Sequence, residues 1–191
     1  MGIEGMKIHR PIRLDFSTGT LLGTSVQETV RTVRDMKGYF RDEAARKNLD
    51  PETVVYRVQA ILPFQEGEEG GLFFGTTFIQ PGMVGDEYFM TKGHFHLNRN
   101  RSEYYITMAG AGALILMDED RRTVFEPMSP GTVHYIPFNR AHRVSNIGDT
   151  VLTVLACWPS DAGHDYNEIS SKGFGGRLRK INGLAALVEG L

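Results

Sequence analysis

His94 and His96 flank Phe95, Glu103 follows at the start of the next apolar run, and His142 stands far down the chain. If the His94-Phe95-His96 segment is extended, the period-two alternation of a strand aims both imidazoles at one face and Phe95 at the other. Glu103 opens the run Tyr104-Tyr105-Ile106-Thr107-Met108-Ala109, so a hairpin through Leu97 to Ser102 folds its carboxylate back toward the histidines. His142 lies between the turn-like Ile136-Pro137-Phe138-Asn139-Arg140 and a second turn at Asn146-Ile147-Gly148-Asp149, which lets a third imidazole arrive from another strand. Three nitrogens and one carboxylate suit iron(II), manganese, nickel or zinc better than magnesium or calcium. In octahedral geometry such a set leaves two positions for water or for adjacent oxygens of a substrate, which separates a catalytic site from a closed structural one. An ion so held serves as a Lewis acid on a carbonyl next to a hydroxyl, or binds dioxygen.

Strands must carry these side chains. After Pro51, apolar runs recur roughly every eight to twelve residues between Gly, Pro, Asn and Asp, a spacing that predicts a sandwich or barrel. The runs are Val54 to Leu62, Phe73 to Gln80, Glu87 to Met90, Gly93 to His96, Glu103 to Ala109, Ala113 to Met117, Thr123 to Pro127, Val133 to Pro137, His142 to Asn146 and Val151 to Trp158. Before them, Ile12-Arg13-Leu14 and the turn at Ser17-Thr18-Gly19-Thr20 suit an added edge strand. Ser25-Val26-Gln27-Glu28 is a capping-box pattern, and Val26, Val30 and Val33 share one helical face, so a helix is expected to about Lys37. Arg41 to Lys47 reads as a second short helix that ends before Asn48-Leu49-Asp50-Pro51. Asp161-Ala162-Gly163-His164-Asp165-Tyr166 gathers polar and titratable groups just after the last strand, where a loop closes over a barrel mouth. Leu184 to Leu191 reads as a short helix or disorder.

At 191 residues the chain has room for one sizeable core. The expected organisation is a single domain over 1–191, with an N-terminal strand and helix extension (1–50), a β-barrel core (51–160) and a C-terminal loop and tail (161–191). Lys and Arg total 21 against 23 Asp and Glu, spread along the chain without a basic run, which argues against nucleic acid or an anionic membrane as partner. Cys157 is the single cysteine, so no intrachain disulfide forms and a reducing cytoplasm fits. Met1-Gly2-Ile3-Glu4-Gly5-Met6 lacks the apolar core of a signal peptide, and no stretch is long enough to span a bilayer. Gly110 to Gly112 and Gly173 to Gly176 lack the strand-to-helix context of a nucleotide-binding loop and read as turns.

Gly93, the two histidines, Glu103 and Gly110 reproduce the first motif of the cupins, and Gly131, Pro137, His142 and Asn146 resemble the second. The gap from His96 to Glu103 is longer than in most cupins. Asn139 stands where the second motif usually has glycine, a position that asparagine fills because it tolerates positive φ. More specifically, Asp35-Met36-Lys37-Gly38-Tyr39-Phe40, Thr91-Lys92-Gly93-His94-Phe95-His96, Ala141-His142-Arg143 and Gly163-His164-Asp165-Tyr166 resemble the cupin-type glucose-6-phosphate isomerases of archaea and some bacteria. The likeness runs over roughly residues 35 to 175.

This resemblance implies a mainly β, double-stranded β-helix (jelly-roll) barrel with short N-terminal helices. It also implies one divalent ion per chain, iron(II) first with manganese, nickel or zinc as alternatives, held by His94, His96, Glu103 and His142. The implied substrate is glucose 6-phosphate or fructose 6-phosphate, with Tyr56, Thr77, Thr91, Gly93 and Tyr105 around it and Glu103, His164 and Tyr166 in catalytic positions. Hydroxyls and the glycine N–H can donate to phosphate oxygens without a formal cation. Lys92 is set aside, because alternation would turn it away from Thr91 and Gly93. Trp158 departs from the family, which has tyrosine there. Isomerisation proceeds either through an enediol, with Glu103 as base, or by direct hydride shift. A cupin dioxygenase and a non-catalytic sugar-phosphate-binding cupin are the alternatives. Small cupins pair through sheet edges, so a homodimer is expected.

Overall fold

The computed structural model describes residues 11–189; the reading of Met1 to Met6 and the last residues of the tail lie outside them. Along the chain run β1 (Arg13–Leu14), β2 (Leu21–Leu22), β3 (Gln27–Thr32), a 3-10 turn (Arg34–Met36), α1 (Glu43–Lys47), β4 (Val54–Ile61), β5 (Leu72–Ile79), β6 (Met83–Val84), β7 (Glu87–Tyr88) and β8 (Glu103–Ala109). They are followed by β9 (Gly112–Met117), β10 (Thr123–Met128), β11 (Val133–Ile136), β12 (Ala141–Asn146), β13 (Leu152–Pro159), α2 (Asn167–Lys172), β14 (Gly176–Ile181) and β15 (Leu184–Glu189). The fold is mainly β. A six-stranded antiparallel sheet in the order β11-β8-β13-β5-β4-β3 faces a three-stranded one in the order β10-β9-β12, the cupin arrangement.

Alternation decides what each strand shows the interior. Val55, Ile79, Leu152 and Val154 of the large sheet meet Leu114, Leu116 and Val144 of the small one in a single buried cluster. The small sheet is covered on its other face too. Ala113, Ile115 and Met117 pack there against Phe95, Ile169, Phe174 and Leu178, which is why every residue of β9 and β12 is buried. The C-terminal segment is thus a second covering layer. The outer face of the large sheet stays bare at β8 and β11, where Tyr104, Ile106, Val133 and Tyr135 stand exposed as cross-strand neighbours.

The structure corrects four sequence expectations. The segment expected as a helix from Ser25 forms β3 and the 3-10 turn instead. Its Gln27 to Thr32 pair with β4, which would otherwise be a long open edge, and the β-branched Thr29, Val30 and Thr32 suit that pairing. Val33 is fully buried while Val30 is exposed, so the apparent helical face was never a single face. Residues 12–22 close on themselves as a two-stranded hairpin, β1 on β2, rather than extending a larger sheet. The Leu184 tail is a strand, not a helix. Asn182 and Gly183 both hold positive φ (51° and 83°), the type I′ turn that pairs β15 with β14. Gly93 to His96 is not a ladder strand either: it forms two single bridges, His94 to His142 on one edge and Phe95 to Asp165 on the other.

Candidate active site

The bridge between His94 and His142 is the foundation of the site. His94 N–H donates to the His142 carbonyl at 3.2 Å and His142 N–H returns to the His94 carbonyl at 3.0 Å, so directly opposed residues send their side chains to the same side. Their rings stand 4.4 Å apart, and His96, two residues on, has its ring 5.7 Å from that of His94. Glu103, first residue of β8, points inward with Tyr105 and Thr107 while Tyr104 and Ile106 point out. One donor atom from each of His94, His96, Glu103 and His142 lies within 4.8 Å of the others.

Hydrogen bonding fixes which nitrogens face the centre. His96 Nδ1 meets the Arg101 carbonyl at 2.9 Å and His142 Nδ1 meets the Arg140 carbonyl at 3.2 Å. A carbonyl only accepts, so each Nδ1 carries the proton and each Nε2 presents a lone pair. Glu103 Oε1 comes within 2.6 Å of His142 Nε2 and 3.8 Å of His96 Nε2. All three atoms are nevertheless buried without a hydrogen-bond partner. Buried polar atoms are seldom left so. Orphaned lone pairs converging on one point are what a divalent ion requires, and the residues fit one.

The electrostatics agree. Burial, reinforced by the neighbouring imidazoles, pushes His94 well below the usual histidine value, and His96 falls below it for the same reasons; both are neutral, as ligands must be. Burial works against ionisation of Glu103, but the His142 and His96 imidazoles and the Tyr105 hydroxyl outweigh it and hold the carboxyl below its usual range. Burial first, and the Glu103 carboxylate second, push the Tyr105 phenol well up, so it remains a donor at neutral pH.

His94, Glu103 and His142 of this cluster form the floor of a pocket that opens to solvent. Inward positions of four strands supply its walls: Tyr56 and Val58 of β4, Gly75 and Thr77 of β5, Tyr105 of β8, Ala156 and Trp158 of β13. The bridged segment adds Thr91, Lys92 and Gly93, and the loop after β13 adds His164 and Tyr166. Every residue expected around a substrate therefore lines one space. His164 packs 4.5 Å from His94 ring to ring and lies parallel to Tyr166 at 5.8 Å. Lys92 needs correction: it shares the wall with Thr91 and Gly93, its ammonium 5.3 Å from the Tyr39 ring, as a residue two before His94 in an extended segment should.

Two features of the wall escaped the sequence reading. Gly75 makes room for the indole of Trp158, since a Cβ there would stand 3.2 Å from the ring. Gly75 pairs with Ala156 and Trp158 with Phe73, so the indole reaches it diagonally, a relation visible only once cross-strand register is known. Gly93 is the second: φ is +74°, and a Cβ would come within 2.8 Å of the Phe174 ring and 2.9 Å of Arg143 Cβ. Gly93→Ala is therefore expected to cost about 1–3 kcal/mol, read as a lower melting temperature of the metal-free protein.

Comparison with known proteins gives the same direction. The family model described as glucose-6-phosphate isomerase matches residues 30–187. The glucose-6-phosphate isomerase of Pyrococcus horikoshii is 44% identical over 182 residues, covering 93% of each chain. That of Thermococcus kodakarensis is 43% identical over 185 residues, covering 96% of this chain and 97% of its own. The Sinorhizobium medicae enzyme of that name is 37% identical over 174 residues, covering 89% and 79%. Among solved structures, an oxalate decarboxylase from Bacillus subtilis aligns with a TM-score of 0.43 and 21% identity over 57% of this chain and 26% of that one. With its site geometry and these relatives together, the chain belongs to the glucose-6-phosphate isomerase family.

Proposed function

We propose that this protein is a metal-dependent aldose-ketose isomerase that interconverts glucose 6-phosphate and fructose 6-phosphate. The observation that carries the reading is the set of orphaned donors from His96, Glu103 and His142, of which Glu103 and His142 open onto a hydroxyl-lined cavity. The relatives named glucose-6-phosphate isomerase span nearly the whole chain, which supports the substrate. We take the ion to be iron(II), on the strength of the nitrogen-rich donor set, with manganese, nickel or zinc as substitutes. When bound, it supplies Lewis-acid stabilisation of charge developing on substrate oxygens.

The chain's own groups do the rest. Thr77 and Thr91 hydroxyls, the Tyr56 phenol and the Gly93 N–H bind the phosphate, and Tyr105, whose one O–H is directed at Glu103, accepts from a sugar hydroxyl. Glu103 takes the C2 proton of the open-chain aldose and returns it to C1 while the O2 hydroxyl proton passes to O1, the enediol route. His164 and Tyr166 pack against the His94 ring, where they orient the chain and assist ring opening. The protein acts as a single cupin domain in the cytoplasm. It works as a homodimer, for which the exposed Tyr104, Ile106, Val133 and Tyr135 face offers an apolar surface. Among the described residues no helix is long and apolar enough to cross a membrane.

The test is anaerobic conversion of fructose 6-phosphate to glucose 6-phosphate by metal-replete protein, with and without chelator. Turnover is expected without oxygen, to fall to background on metal removal and to return on reconstitution. Inactivity of the replete protein would defeat the reading. Oxygen consumption would point to a dioxygenase, and saturable binding without product to a carrier.

A further inference from the structure

The loop between His96 and Glu103, longer than in most cupins, has a physical use that the metal site alone does not require. It carries Arg99 and Arg101, and both reach across to the loop that bears His164 and Tyr166. Arg101 meets Asp161 with two parallel bonds, Nε to Oδ1 at 2.8 Å and Nη2 to Oδ2, and the Asp161 side chain is only 8% exposed. Arg99 lies 3.7 Å over the Phe95 ring and pairs with Asp165 at 3.2 Å.

Backbone bonds run beside these pairs. Asn98 N–H donates to the Ala162 carbonyl at 2.9 Å, and Phe95 and Asp165 exchange bonds of 3.2 and 2.8 Å. Gly163 holds φ +60° with its missing Cβ 2.9 Å from Leu97, so the two loops touch too closely for any side chain there. His164 and Tyr166 sit between and beside these anchors.

We propose that the Arg101–Asp161 and Arg99–Asp165 pairs form a clasp through which the loop after His96 sets the positions of His164 and Tyr166 over the cavity. Arg99, Arg101, Asp161 and Asp165 are positioning residues: none lines the cavity, and each acts through the two rings that do. Isolated surface ion pairs contribute little, but a two-pronged arginine-carboxylate pair on a largely covered aspartate fixes geometry as well as energy. Displacing a reacting or orienting group by an ångström costs on the order of 10²-fold in rate. The same loop also touches the metal shell, through the Arg101 carbonyl on His96, but that link is backbone and survives side-chain replacement.

The kinetic part of the test rests on the isomerase reading; the exchange part does not. Arg101→Met and Asp161→Asn are each expected to lower kcat/KM by about 10–100-fold with metal content unchanged. In a His164→Ala, Tyr166→Ala background the same substitutions should cost no more than about 3-fold, because the rings they position are gone. Arg101→Lys should recover part of the loss. In amide hydrogen exchange, the amide of Asp165 is expected to exchange faster in Arg101→Met and Asp161→Asn, while those of His94 and His142 keep wild-type protection. Equal losses in both backgrounds, loss of metal in Arg101→Met, or unchanged exchange at Asp165 would each overturn the clasp. If wild-type protein turns over no sugar phosphate, it is the isomerase reading that falls, and exchange alone then decides the clasp.

Discussion

Replacing His142 with alanine is expected to lower kcat/KM by about 10³-fold or more and to bring bound metal from one per chain close to zero, without unfolding the protein. The loss follows from the ion's worth: several kcal/mol of transition-state stabilisation, at about 1.4 kcal/mol per tenfold in rate. Survival of the fold follows from the backbone. The two bonds that tie His142 to His94 use main-chain atoms, and alanine keeps both. Alanine also removes an Nε2 that finds no hydrogen-bond partner in the protein, which offsets part of the cavity it leaves. His134 is the matched control. It is buried as well, but its Nδ1 meets Glu126 at 2.7 Å and its Nε2 meets Thr132 at 2.8 Å, and it lies outside the cavity. His134→Ala should therefore cost stability, about 1–3 kcal/mol, and leave kcat and metal content near wild type. Elemental analysis, melting curves and the isomerase assay on both variants check the contrast. Full metal occupancy and activity in His142→Ala would remove His142 from the site.

The parts of this molecule that could be read from the chain are those where local pattern and tertiary demand coincide. From β4 to β13, apart from the unread β6 and the Gly93 to His96 run, alternation and turn residues act together, and boundaries shift by only a residue or two. Asn139 takes φ of 55°, the conformation that its place in a glycine position implies. The convergence of His94, His96, Glu103 and His142 was legible because three of them share short-range spacing and the fourth falls inside a strand bracketed by turns. Where a segment's fate depends on what lies beside it, the chain misleads. Ser25 to Val33 carries a capping box and a helical valine spacing, yet the open edge of β4 takes Gln27 to Thr32 as a strand. Thr91 and Gly93 line the cavity together with Lys92 and His94 because Gly93 and two single bridges interrupt the strand, a matter of His142 and Asp165 rather than of local sequence. Asn182-Gly183 is the opposite case. It is a strong hairpin signal between the alternating Gly176 to Ile181 and the apolar Leu184 to Val188, and the β14–β15 turn could have been read from it directly.

The Glu103→Gln substitution is expected to separate the two roles of that carboxylate. The amide keeps the size of the side chain and one oxygen toward the cluster, so a substantial share of metal should remain, but it has no basic carboxylate to receive a proton. If Glu103 is the base, kcat falls by about 10²–10⁴-fold with KM little changed. Its basicity is already modest, since the His142 and His96 imidazoles and the Tyr105 hydroxyl overcome the effect of burial and hold the carboxyl below the usual range. That places the base on its ionised side throughout neutral pH, so the acid limb of the rate profile should lie below the ordinary glutamate range rather than above it. The fate of the substrate hydrogen gives an independent check. Glu103 is 5% exposed, so a proton held there exchanges slowly with water, and in deuterium oxide the enediol route should place less than one deuterium per turnover at C1 of fructose 6-phosphate or C2 of glucose 6-phosphate. Proton spectra of product collected after partial conversion measure it. No deuterium at all, together with a Glu103→Gln enzyme within about tenfold of wild-type kcat, would assign the hydrogen transfer to a hydride shift and leave Glu103 as a metal-holding side chain only.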